Sequence, residues 1–196
     1  MNRFFFLICI FSSIFISSCN VSSIKEDKSV LIIENFNLNY YSKNGIKLYK
    51  LETPYSVFNQ ADQSYSFNKT KVKFFDKENV KYNINSDNAK LLNNKYLELK
   101  GNVEIKDFNN DKSTIKSNKL IWDVDKSELI LEGNVSFIND IIYLSSNKAK
   151  FDKKEDTIMF YNPVKYNYKD EDGIRKYNIS SENAFYNITT KDVIFK

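Results

Sequence analysis

Histidine is absent from this chain. Its absence excludes Ser-His and Cys-His catalysis, and it excludes His-ligated zinc and haem sites. Cysteine occurs only as Cys9 and Cys19. Everything beyond Cys19 therefore lacks a disulfide, whatever the redox state of its compartment. Glycine and proline are scarce, at four and two residues, while Tyr, Phe and Ile are abundant. Aromatic and β-branched side chains suit a pleated, half-buried surface and favour strands. A net charge of +4 gives no argument for a nucleic-acid partner, because scattered lysines mainly keep a protein soluble. Nor is there a long apolar run. The longest, residues 4–16, holds 13 residues interrupted by serines, and about 20 are needed to span a bilayer.

That short run follows Arg3 and precedes Ile16-Ser17-Ser18-Cys19. A basic start, a short apolar stretch and small residues before a cysteine form an export signal of the bacterial lipoprotein type. Residues 1–18 are expected to be the signal peptide. Cys19 is the expected lipidation site, and several acyl chains there anchor stably where one does not. An uncleaved N-terminal helix is the alternative anchor. Residues 19–30, with the polar stretch "NVSSIKEDKS", read as the lipidated Cys and a tether, and residues 31–196 as one domain.

The domain repeats. "LELKGNVEI" (97–105) returns as "LILEGNVSF" (129–137), and "SDNA" (86–89), "SNKL" (117–120), "SNKA" (146–149) and "SENA" (181–184) share a second pattern. The serines are spaced by 31, 29 and 35 residues, and a degenerate earlier copy starts near Thr53. A period near 30 means stacked supersecondary units. Leu97, Leu99, Val103 and Ile105 share one parity and Glu98, Lys100 and Glu104 the other, the alternation of a half-buried strand. Recurrence of the serine in every unit points to a turn role, its hydroxyl bonding nearby backbone. "SKNGIK" (42–47) is a hairpin signal with Asn-Gly suited to a type I′ turn.

A two-residue turn at Gly101-Asn102 would set Leu99 opposite Glu104 and mix the two faces. Two readings remain: a three-residue loop pairing Leu99 with Val103, or a strand running on through the glycine. Parity places Gly101 and Gly133 inward and marks them as strand-bend points.

Paired L-x-L-x-G-N-V strands, Ser-Asn-x-Ala segments and an export signal together resemble the LptC family, with the early "NGIKLYKLETP" (44–54) adding to the likeness. The related LptA-type and OstA-like domains share the repeat. The resemblance implies an all-β fold, an antiparallel OstA-like jellyroll forming an open folded shell. It implies a periplasmic lipid-transfer scaffold of lipopolysaccharide export, without catalysis or cofactor. Its implied partners are lipopolysaccharide or lipid A, ABC-transporter membrane subunits with periplasmic jellyrolls and an LptA-type periplasmic protein. The expected attachment to a membrane, the inner one, by lipid at Cys19 departs from the family, many members of which keep an uncleaved transmembrane helix. On this reading Leu97, Leu99, Val103, Ile105, Leu120, Trp122, Leu129, Leu131, Val135, Phe137, Phe151, Ile158, Phe160 and Tyr186 line a trough for acyl chains. Parity alone fits an ordinary filled core better; the family resemblance turns the reading toward a trough.

Two other classes stand beside it. One is a structural β-repeat lipoprotein of the envelope. The other is a repeat-β polysaccharide lyase or hydrolase, which needs acidic and basic residues recurring at one repeat position; here the charges scatter. "WDVDKSE" (122–128) and "KDEDG" (169–173) are faintly like calcium loops but lack the twelve-residue ligand pattern, and read as solvated turns.

Overall fold

The computed structural model describes residues 30–196 apart from 77, 108–109 and 170–175. The expected signal peptide, Cys19 and most of the tether lie outside the described residues, as does most of "KDEDG". Among the described residues there is no helix. The strands are β1 (Val30–Tyr41), β2 (Lys47–Asn59), β3 (Ser64–Asp76), β4 (Asn79–Leu92), β5 (Tyr96–Asp107), β6 (Asn110–Asp123), β7 (Glu128–Ile138), β8 (Ile142–Asp152), β9 (Thr157–Tyr161), β10 (Val164–Lys169), β11 (Lys176–Ser181), β12 (Ala184–Asn187) and β13 (Val193–Phe195). They form one antiparallel sheet in sequence order from β1 to β9, followed by β12 and β13. At β8 the sheet branches. Its first half pairs with β10 and its second half with β9. The fold is thus all-β and antiparallel, an open folded shell of jellyroll type, and its strand edges are β1 on one side and β11 and β13 on the other.

The repeated motifs mark the line along which this sheet folds. In the strands carrying the serine motif, successive inward residues are three apart: Ser86 and Ala89, Ser117 and Leu120, Ser146 and Ala149. In the strands carrying Gly-Asn they are four apart: Leu99 and Val103, Leu131 and Val135. The two irregularities lie side by side, so register shifts at Lys100/Val103 and at Lys116/Lys119. Each strand keeps its apolar face inward on both sides of the line.

Each motif serine closes its own kink. Ser86 Oγ donates to the Asn88 carbonyl at 3.1 Å, Ser117 to Lys119 at 3.1 Å, Ser146 to Lys148 at 2.7 Å and Ser181 to Asn183 at 2.9 Å. Thr53 Oγ1 makes the same bond to the Tyr55 carbonyl at 2.9 Å, so the degenerate copy in β2 has the same local chemistry. The bond folds the hydroxyl back onto its own strand, a local side-chain-to-backbone contact that fixes the kink. Ser117→Ala is expected to lower stability by about 1 kcal/mol, measured by urea denaturation. A loss below about 0.3 kcal/mol would count against the hydroxyl as part of the kink.

β5 and β7 run unbroken through Gly101 and Gly133, which excludes the three-residue loop. The inward assignment of these glycines is corrected. Gly101 and Asn102 both have positive φ (75° and 44°), as do Gly133 and Asn134 (74° and 49°). This conformation turns the side-chain position of each glycine toward an exposed residue of the neighbouring strand. A Cβ on Gly101 would lie 2.6 Å from Asp87 Oδ2, and one on Gly133 would lie 2.9 Å from Asn118 Nδ2. The β1–β2 connection is also not type I′. Gly45 N donates to the Ser42 carbonyl at 3.0 Å. Of the Asn44-Gly45 pair only Gly45 (φ 76°) has positive φ, whereas type I′ needs it at both central residues.

Candidate functional site

The fold line divides the sheet into two leaves that face one another across the interior. On the first leaf, Ile84, Ile105, Ile115, Phe137, Leu144 and Tyr166 form one row across neighbouring strands. On the second leaf, Leu91, Leu97, Trp122, Leu129, Phe151, Ile158 and Tyr186 form another. Beside it runs a third row: Ala89, Leu99, Leu120, Leu131, Ala149, Phe160 and Ala184. Such rows are what alternation on adjacent in-register strands must produce.

All the residues expected inward from their parity, Leu97 through Tyr186, face this interior and are at most 2 % exposed. Val103 and Val135 sit at the fold line opposite Ser117 and Ser146. The leaves touch through aromatic pairs on strands far apart in the sheet order. Trp122 meets Tyr49 and Phe74 edge-on at 4.9 and 4.7 Å, Tyr82 meets Phe151 at 5.1 Å, and Phe137 meets Tyr186 at 4.3 Å. These contacts fill the interior with side chains rather than leaving an open channel.

Reading the repeats alone missed the earlier half of this lining. Tyr49, Leu51, Phe67, Val72, Phe74, Tyr82 and Ile84 are all buried. β2 and β3 carry at most degenerate copies of the motifs, and on β4 the motif begins only at Ser86. The signal that would have found them is plain alternation in "LYKLET" (48–53) and "VKFF" (72–75).

Folding the sheet brings its two rims together, and the rims form a seam. The first rim holds the end of β3 and the start of β4; the second holds the β6–β7 and β8–β9 turns. Across the seam, Tyr82 donates its hydroxyl to Asp156, and Lys81 Nζ lies 2.8 Å from the same carboxylate. Tyr40 reaches Asp125 at 3.5 Å. A cavity of about 410 Å³ opens in the seam, with Phe74, Tyr82 and Trp122 at its apolar side and Lys81, Lys126, Lys153 and Lys154 around it. The indole Nε1 of Trp122 donates to the Lys126 carbonyl at 2.9 Å. Lys153 Nζ stands 4.4 Å from the Trp122 ring centre and 4.5 Å from that of Phe74. Burial pulls the Lys153 ammonium down to about 8, while the two ring faces favour its charged form. Asp123 of "WDVDKSE" takes the backbone N–H of Asp125 at 3.2 Å, which is the geometry of a capped turn.

The family model described as lipopolysaccharide-assembly, LptC-related, matches residues 4–141, more than half of the chain. Curated proteins offer no matching sequence. Among solved structures, LptH from Pseudomonas aeruginosa, the LptA-homologous periplasmic component of a lipopolysaccharide transport device, is similar at 9 % identity and a TM-score of 0.40. The match covers 78 % of this chain and 94 % of that one. The assignment rests on the family model, which spans residues 4–141: this chain is a member of the LptC-related family of lipopolysaccharide assembly.

Proposed function

We infer that this protein is a periplasmic scaffold of lipopolysaccharide export that receives acyl chains between its two leaves and passes them to an LptA-type protein. The observation that carries this reading is the continuous apolar lining. Three cross-strand rows run from β4 to β10 or β12, closed along one side only by a seam of side-chain contacts. Parting the leaves along the seam would expose those rows to an acyl chain without breaking a ladder hydrogen bond. The chain would then gain about 0.8 kcal/mol per buried CH2. The scaffold performs no chemistry of its own; the energy for transport comes from an ATPase partner. The strand edges at β1 and at β11 and β13 offer unpaired backbone for β-augmentation by transporter jellyrolls and the LptA-type bridge.

Mass spectrometry of organic extracts from purified residues 20–196 tests the reading. Glycolipid recovered at a fixed ratio, or lipid A taken up on addition, is the expected result. A domain that carries none and takes up none would leave a structural β-repeat lipoprotein of the envelope.

The anchor is proposed to be lipid on Cys19, holding the domain at the inner membrane. Cys19→Ala is expected to abolish metabolic palmitate labelling and to alter processing of the precursor. Equal labelling of wild type and variant would return the anchor to an uncleaved helix.

A further inference from the structure

The cavity in the seam differs from the rest of the interior in having a cation at its wall. Three of its four lysines are engaged by carboxylates: Lys81 with Asp156 at 2.8 Å, Lys126 with Asp123 at 3.5 Å and Lys154 with Glu155 at 3.7 Å. Among the described residues Lys153 has no carboxylate within 4 Å. Its ammonium contacts two ring faces and the Lys126 carbonyl at 3.4 Å. Lysine has three donors, and a single carbonyl at the limit of hydrogen-bond range does not satisfy them. The neighbouring Asp152 favours the charged form but does not offset the cost of burial, so a half-buried ammonium with no ion pair in contact is costly to keep. Here it is held in place by its own backbone, since Lys153 N donates to the Ser127 carbonyl at 3.1 Å. The cavity volume of about 410 Å³ falls within the range of ligand sites.

We propose that the seam cavity is a headgroup site: Lys153 binds an anionic group of an amphiphile, a phosphate or carboxylate, while the apolar chain passes over Trp122 and Phe74 into the interior. The proposal rests on the acyl-chain reading above and adds to it the charge and position of the headgroup. An anion arriving at Nζ supplies the missing acceptors. It also draws the ammonium off the two rings, clearing the way from the seam to the row that includes Trp122. Binding a headgroup and admitting its chain then become one event.

Isothermal titration calorimetry of the lipid-free domain separates the possibilities. Dodecyl phosphate, dodecyl maltoside and inorganic phosphate are titrated, below micellar concentrations, into wild type, Lys153→Met and Lys153→Arg. Dodecyl phosphate is expected to bind wild type about ten- to a hundredfold more tightly than the maltoside, the range of a charge-assisted hydrogen bond. Lys153→Met should remove that preference, bringing the two amphiphiles to equal affinity, and Lys153→Arg should restore it. Inorganic phosphate should bind far more weakly, because it gains nothing from the rings. Equal affinity for the two amphiphiles in wild type, with binding retained, would overturn the headgroup site and leave the acyl-chain reading standing. An undiminished preference in Lys153→Met would overturn it too. Binding of inorganic phosphate as tight as that of dodecyl phosphate would show a free-anion site and likewise overturn it. Binding of none of the three ligands would overturn both readings.

Discussion

Gly133→Val is expected to destabilise the domain by about 3 kcal/mol, adding a left-handed backbone penalty of about 1–2 kcal/mol to a steric one of similar size. In a domain of this length that lowers the melting temperature by roughly 6–12 °C. The two causes can be separated. Gly133 has φ +74°, and a Cβ there would meet Asn118 at 2.9 Å (Nδ2) and 3.1 Å (Cβ). Gly45 has φ +76° and nothing within 4 Å of the same position. Gly45→Ala therefore reports the backbone cost alone, about 1 kcal/mol, and Gly133→Ala should exceed it. Adding Asn118→Gly to Gly133→Ala should recover the excess but not the backbone cost. A Gly133→Val domain with an unchanged melting temperature would contradict the fold line as described. Gly133→Ala no worse than Gly45→Ala would remove the contact with Asn118 from the explanation.

The second large effect belongs to the tryptophan. Trp122→Ala is expected to cost about 3–5 kcal/mol, the usual range for truncating a buried aromatic side chain. Trp122 is 2 % exposed and touches Tyr49 and Phe74 on the opposite leaf. Its loss empties the place where the leaves meet nearest the seam. Trp122→Phe keeps a ring there and loses the bond to the Lys126 carbonyl, so about 1–2 kcal/mol is expected. Denaturant midpoints of the two variants measure the difference. A Trp122→Ala loss under about 1 kcal/mol would show that this cluster does not hold the leaves together. Because the indole is already buried, its emission should be blue-shifted before any ligand is added.

Much of this was legible in the residues, for identifiable reasons. The parity of "LELKGNVEI" fixes which side chains face inward, because a strand has a period of two. The recurrence of the serine in every unit marks it as a local backbone device, and all four motif serines make the same bond to the carbonyl two residues on. Parity failed at Gly101 and Gly133, where counting by twos assumes extended backbone. At φ +75° the missing side chain turns toward Asp87 on the next strand. Asn44-Gly45 has the composition of a type I′ turn, but the connection spans residues 42–46, and only its glycine takes the positive φ. The seam was not legible at all. Asp156 lies 75 residues from Lys81 and 74 from Tyr82 in the chain, and only the folding of one leaf onto the other brings them together. Lys153 stood in an unremarked turn for the same reason.

Whether acyl chains occupy the space between the leaves can be measured directly by photo-crosslinking. A photoreactive residue is placed at Leu131, which is fully buried on the inner row, or at Glu132, its neighbour on the outer face. Each variant is irradiated in cells that export lipopolysaccharide, and the adducts are identified. A trough between the leaves predicts capture of the glycolipid from position 131 and none from position 132. Equal capture from both positions, or none from either in folded protein, would contradict it and make the rows of Leu, Ile and Phe an ordinary closed core.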